Sequence, residues 1–125
     1  GDGLSTGVSI RVLVVDDNVD AMKTLSWVLR LYGCEVLGLS SPSEALSRAN
    51  AFDPHIAVLD IGMPEMDGRE LAKQVKISHP NLPVVMLTGW GRRMQEEGEC
   101  PPHVDHLLSK PPRLETLRAV FRTLD

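Results

Sequence analysis

The sequence predicts an α/β domain in which five strand–helix units build one doubly wound parallel sheet. Two observations carry this. From Ile10 onward, short strand-like runs alternate five times with stretches of helical character, and strict alternation of this kind gives a parallel sheet with helices on both faces. Three of the runs, VLVV, IAVL and VVML, are continuously apolar, as strands are when both faces are covered.

Residues 1–9, GDGLSTGVS, are rich in Gly, Ser and Thr and read as a flexible tail or expression remnant. The folded domain is assigned to residues 10–125. IRVLVV is the first strand, and DAMKTLSWVLRLY the first helix, with Ala21, Leu25, Val28, Leu29 and Tyr32 at helical spacing. Gly33 stops it. Trp27 sits off that stripe, near Thr24 and Leu31; it reads first as a cover for the core and second as a partner surface. EVLGLS is a weaker strand, broken by a glycine, and suits an edge. Ser41-Pro42-Ser43-Glu44 opens the second helix as a capping box with proline in its first turn. HIAVLD is the third strand. Asp67 caps a helix over about 69–78, ended by Pro80 and Pro83. VVML is the fourth strand. RRMQEE gives at most two turns of helix before Gly98 and Pro101-Pro102. HLLS is a short strand suited to the other edge. Arg113 to Leu124 is amphipathic, with Leu114, Leu117, Val120, Phe121 and Leu124 on one side.

The 125 residues allow one domain, and a chain of this size buries roughly two-thirds of its unfolded surface, enough for a core without staples. Thirteen basic against seventeen acidic side chains, net charge −4, argue against a dedicated nucleic-acid binder. No apolar run approaches the ~18 residues of a membrane span. Cys34 and Cys100 match no metal spacing and read as free thiols of a reducing compartment, which places the domain in the cytoplasm. His55, His79 and His103 are scattered near turns with no spacing for a metal.

In parallel α/β sheets, ligands sit beyond the carboxyl ends of the strands. The first strand delivers Asp16 and Asp17 there, the second Ser40 and Ser41, the third Asp60, the fourth Thr88 and Gly89, and the fifth Lys110. Taken singly, each is ordinary: helix-capping aspartates, a turn aspartate before Gly62, a β-branched strand residue, a solvated lysine. Taken together, they form a site. Three crowded carboxylates repel one another, and a hard divalent cation with oxygen ligands relieves this; Mg²⁺ suits a site that keeps several waters. Lys110 adds a point charge for a phosphoryl oxygen, Thr88 a hydrogen bond, and the amides near Gly62 and Gly89 can approach closely. Asp60 is the natural nucleophile, because the other two acids are paired for metal binding.

The segments VLVVDDN, VLDIGMPEMDG, VVMLTGWG and LLSKP, spread over about 10–124, resemble the receiver domains of two-component response regulators. That resemblance implies the flavodoxin-like, CheY-like fold with strand order 2-1-3-4-5, known for the family. It implies Asp60 as phosphoacceptor, Asp17 as a direct Mg²⁺ ligand, Asp16 binding largely through water, and the Gly62 carbonyl as a further ligand, with Mn²⁺ able to substitute. Thr88 would sense the phosphoryl group and Lys110 would pair with it. The donor would be a phosphohistidine on a sensor histidine kinase or histidine phosphotransfer domain. The isolated domain would then be no enzyme beyond its own phosphorylation and dephosphorylation, with no nucleic-acid or membrane contact. LTGWG, DIGMPEMDG and SKPP are most similar to receivers of hybrid sensor histidine kinases. The resemblance also implies a cis Lys110–Pro111 bond.

The chain departs from the family twice. Leu107 stands where receivers carry an inward-turning aromatic, and Pro101-Pro102 fall where the fourth helix continues. His106 and Trp90 read as a strand residue and a loop aromatic. Conformational change is therefore expected in 89–100, where Gly89 and Gly91 flank Trp90. Three rivals are weighed. Phosphatases of the aspartyl-phosphate type place a second acid two residues beyond the nucleophile, where this chain has Gly62. A nucleotide or flavin module wants a glycine cradle, and no GxxxxGK[ST] or GxGxxG occurs. A pseudo-receiver wants lost site residues, and all five are present.

Overall fold

The computed structural model describes residues 10–63, 66–89, 101–110 and 112–123. Five strands, β1 (Arg11–Val15), β2 (Glu35–Leu39), β3 (Ile56–Asp60), β4 (Val84–Thr88) and β5 (His106–Ser109), form one sheet. All pairs are parallel and the order is β2-β1-β3-β4-β5, so the two weaker strands are indeed the edges. Among the described residues the helices are α1 (Val19–Leu31), α2 (Pro42–Phe52), α3 (Gly68–Ser78) and α4 (Leu114–Arg122). The short helix expected from RRMQEE, the loop with Trp90 and Gly91, and Pro111 with its peptide bond lie outside the described residues.

The period-two alternation of each strand splits the core into two layers. Leu13, Val15, Ala57, Leu59, Val84, Met86 and Leu107 face α2 and α3, which contribute Ala45, Ala49, Leu71, Ala72 and Val75. Val12, Val14, Ile56, Val58, Val85 and Leu87 face α1 and α4, which contribute Leu29, Leu117, Val120 and Phe121. The central strands β1, β3 and β4 are thus buried on both faces, which is why their sequences are apolar without a break.

Local signals place most boundaries. Gly33 takes φ 90° after α1, and its N–H and that of Cys34 donate to the carbonyls of Arg30 and Leu29 at 3.0 and 3.1 Å. A left-handed residue there closes the helix, and glycine holds that conformation without a Cβ penalty. Asp67 caps α3, its Oδ1 accepting the Arg69 N–H at 2.7 Å. Ser41 is the residue that caps α2, but its hydroxyl makes no capping bond and lies 2.9 Å from the Ser43 hydroxyl. The capping-box reading is corrected there; Pro42 and the dihedrals of Ser41 start the helix instead.

Two expected core contacts are also corrected. Trp27 is 61% exposed and Leu31 66%, so neither covers the core. The inward line of α1 runs through Ser26 and Leu29, with Met22 and Leu25 partly buried beside them. Leu114 is 38% exposed at the start of α4. Tyr32, also counted on the apolar stripe, is partly exposed and lies under the Arg118 guanidinium, 6.0 Å from its ring centre. No described helix is long and apolar enough to cross a membrane.

The glycine that breaks β2 has a packing reason. A Cβ on Gly38 would stand 2.6 Å from both Met22 Sδ and Ser26 Oγ, so its absence lets α1 press onto the edge strand. Alanine would regain ~0.5–1 kcal/mol of backbone entropy, but overpacking costs about 1–3 kcal/mol. Gly38→Ala is therefore expected to lower stability by about 1 kcal/mol, seen as a lower urea midpoint with unchanged slope.

Candidate functional site

β1, β3 and β4 end at the same rim, and the sequence places a polar residue at each exit. Asp16 and Asp60 are 4% and 5% exposed, and Thr88 is fully buried. Asp17, one residue further out, is exposed. Asp16, Asp17 and Asp60 can each offer one carboxylate oxygen such that all three lie within 4.8 Å of one another. Lys110 follows β5 and is pinned by its own N–H, which donates to the Thr88 carbonyl at 3.1 Å. Its Nζ lies 2.8 Å from Asp16 Oδ2 and 3.2 Å from Asp60 Oδ1. Four of the side chains named from the sequence, those of Asp16, Asp17, Asp60 and Lys110, therefore converge, and Thr88 ends the neighbouring strand with its carbonyl holding the Lys110 N–H.

The aspartates do not cap α1. That task falls to Asn18, whose Oδ1 accepts the Ala21 N–H at 3.0 Å. Its backbone N–H donates to Asp16 Oδ1 at 2.9 Å, so the cap also orients the buried acid. Gly62 donates its N–H to Asp60 Oδ1 at 3.4 Å, a long bond. A Cβ on Gly62 or Gly89 would meet nothing within 4 Å, so close packing is not what requires glycine at either position.

The charges are unbalanced. Among the described residues, three carboxylates stand against one ammonium. Burial pushes the Lys110 ammonium toward losing its proton, but hydrogen bonds and charge from Asp16 and Asp60 outweigh this and raise its pKa above 10.5. Lys110 is thus held firmly as a cation, and the remaining negative charge suits a hard divalent ion with oxygen ligands. Beside the rim, a mainly apolar groove of about 610 Å³ runs between α1 and the start of α4, past Ala21, Leu25, Val28 and Leu114 to Asp16 and Lys110.

The model of the response regulator receiver domain matches residues 12–122. The chain belongs to that family. As a receiver of two-component signalling, it carries the acidic cluster such domains use at a phosphoryl-accepting site. It is 32% identical over 117 residues to the response regulator MprA of Mycobacterium bovis, covering 94% of this chain and 51% of that one. It is 41% identical over 86 residues to the transcriptional regulatory protein PrrA of Mycobacterium leprae, covering 68% of this chain and 37% of that one. The receiver thus spans about half, or less, of the length of these relatives. Among solved structures it is similar to the chemotaxis protein CheY4 of Vibrio cholerae, with TM-score 0.79, 28% identity, and coverage of 94% and 100%. A CheY-like receiver from Methanospirillum hungatei aligns with TM-score 0.81 at 23% identity, covering 94% and 97%, and supports the fold.

Two residues of the receiver's site escaped the sequence reading. Asn18, in VLVVDDN, stands directly before α1, where asparagine is a strong capping signal. Gly68, in MDG, donates its N–H to the carbonyl of Ile61, the residue after Asp60, at 3.0 Å. Leu107, at the usual aromatic position, is 8% exposed and belongs to the core layer under α2 and α3.

Proposed function

We propose that Asp60 accepts a phosphoryl group from a phosphohistidine on a sensor histidine kinase or histidine phosphotransfer domain, and that residues 10–125 then switch conformation as one receiver unit. The observation that carries this is the buried Asp60 carboxylate with a lysine ammonium 3.2 Å away and two further carboxylates alongside. An Asp60 oxygen attacks phosphorus; the O–P bond forms as the N–P bond of the phosphohistidine breaks. The electron pair stays on the imidazole nitrogen, which takes up a proton. Lys110 lies where it neutralises a phosphoryl oxygen, and the Thr88 hydroxyl hydrogen-bonds another. Hydrolysis of the phosphoaspartate by water resets the domain.

Asp16, Asp17, Asp60 and the Gly62 carbonyl would hold Mg²⁺, for which Mn²⁺ substitutes. Such an ion, when bound, supplies charge neutralisation to the transferring phosphoryl group. Gly62 offers no general acid two residues after Asp60, which favours a self-resetting switch over an enzyme acting on outside substrates. The apolar groove beside Asp16 and Lys110 suits a helix that presents the donor histidine. A buried free thiol at Cys34, made less acidic by burial, fits a cytoplasmic setting. The net charge of −4 disfavours direct contact of this unit with nucleic acid or an anionic membrane surface. The segments LTGWG, DIGMPEMDG and SKPP support a hybrid sensor histidine kinase as the parent chain.

Incubation with acetyl phosphate and Mg²⁺ tests the assignment. The expected result is one phosphoryl group, mapped by peptide mass to Asp60; labelling elsewhere, or none, would sink it. The metal ligands are tested apart from phosphorylation. Asp17→Ala is expected to weaken Mg²⁺ binding roughly 10–100-fold, read from backbone amide shifts in a titration. Unchanged affinity would remove Asp17 from the ligand set.

A further inference from the structure

The first turn of α3 is built onto the backbone of Asp60 itself. A Cβ on Gly68 would collide with the Asp60 carbonyl oxygen, stand 2.7 Å from Ile61 Cα, and 3.0 Å from the Asp60 carbonyl carbon. All three are main-chain atoms, which cannot rotate away as a side-chain tip can. The contrast with Gly38 is direct: there the obstructing atoms belong to the side chains of Met22 and Ser26. Gly68 is also bound where it touches. Its N–H reaches the Ile61 carbonyl at 3.0 Å, and Asp67 just before it closes the helix end on the Arg69 N–H at 2.7 Å. The next turn is anchored under the sheet by Leu71 and Ala72, both fully buried. The chain therefore has a fixed helix on one side of this contact and the exit of β3 on the other.

From this juxtaposition we propose that Gly68 is a positioning residue for Asp60: by lacking a side chain it lets α3 hold the end of β3 at the height where the Asp60 carboxylate meets Lys110, Asp16 and Asp17. The proposal rests on the reading of Asp60 as phosphoacceptor. A side chain at 68 forces the Asp60 main chain, and the carboxylate with it, out of its present position, in which the lysine ammonium stands 3.2 Å off. Misplacement of a reacting group by a fraction of an ångström to one ångström slows reaction strongly without any change in the reacting atoms.

The test separates position from stability. Gly68→Ala is compared with Val120→Ala, which removes buried volume on α4, at a temperature where circular dichroism shows both folded. For Gly68→Ala, labelling by acetyl phosphate should slow, and Mg²⁺-dependent beryllofluoride binding should weaken, by about tenfold or more, with Val120→Ala within about twofold of the parent in both. Gly68→Ala reacting like the parent would overturn the proposal. Hydrogen exchange on the unaltered protein gives a second reading, independent of whether Gly68→Ala folds. Mg²⁺ and beryllofluoride at Asp60 should slow exchange of the Gly68 amide, and an unchanged rate counts against the proposal. A parent that takes neither phosphoryl group nor beryllofluoride overturns the functional reading as well; a reactive parent with an equally reactive Gly68→Ala overturns the positioning role alone.

Discussion

Asp60→Asn is expected to abolish phosphoryl transfer to the domain while leaving it folded. The loss should be complete, because a neutral amide, its nitrogen lone pair delocalised into the carbonyl, is a far weaker nucleophile than a carboxylate. Stability should hold for reasons visible in the site. The side-chain oxygen of asparagine can still accept the Gly62 N–H, which reaches Asp60 Oδ1 at 3.4 Å. Lys110 keeps Asp16 as its closer partner, at 2.8 Å. One of three crowded carboxylates disappears, which relieves repulsion. Thermal denaturation should therefore place Asp60→Asn at or above the parent, while acetyl phosphate with Mg²⁺ gives no labelled peptide. Persistent labelling of the variant at Asp16 or Asp17 would show that the nucleophile is not Asp60.

Topology and site were legible for the same reason. A parallel sheet forces its ligands to one rim, so reading the residue after each strand amounts to reading the site. Asp16, Asp17, Asp60 and Lys110, whose side chains the structure brings together, can be read this way because apolar runs mark where the strands end. What escaped depends on contacts between elements far apart in the chain. Nothing local in EVLGLS announces that Gly38 makes room for Met22 and Ser26, and nothing in MDG announces that Gly68 abuts the Asp60 carbonyl. The direction of a helix face is similarly non-local. Trp27 and Leu114 are large and apolar, yet 61% and 38% exposed. The Ser41 hydroxyl shows a third limit: the motif S-x-x-E marks the helix start correctly, but a neighbouring serine competes for the hydroxyl.

The second large effect is expected at Lys110. Its side chain is 28% exposed, while those of Asp16 and Asp60 are 6% and 7% exposed, so the ammonium is the counter-charge of two nearly buried acids. Lys110→Met keeps the length of the chain and removes the charge. Breaking a buried ion pair by deleting one partner costs about 3–5 kcal/mol; the partial exposure of this lysine and the water at the rim reduce the expected loss to about 1–3 kcal/mol. Lys110 has its pKa raised above 10.5 by the folded state. Its contribution is therefore fully present below the ordinary value of 10.5 and lost as pH rises through the folded value. Parent and variant should differ by a constant amount from neutral pH to about pH 10, and converge above that. The same deletion removes a competitor for the carboxylates. Mg²⁺ should then bind Lys110→Met more tightly than the parent, and saturating Mg²⁺ should raise the melting temperature of the variant by the larger increment. Phosphoryl transfer should nonetheless slow, because no ammonium remains to neutralise the phosphoryl oxygen. Equal Mg²⁺ stabilisation in parent and variant would mean that Lys110 does not share Asp16 and Asp60 with the metal, and that the two cations occupy separate places on the rim.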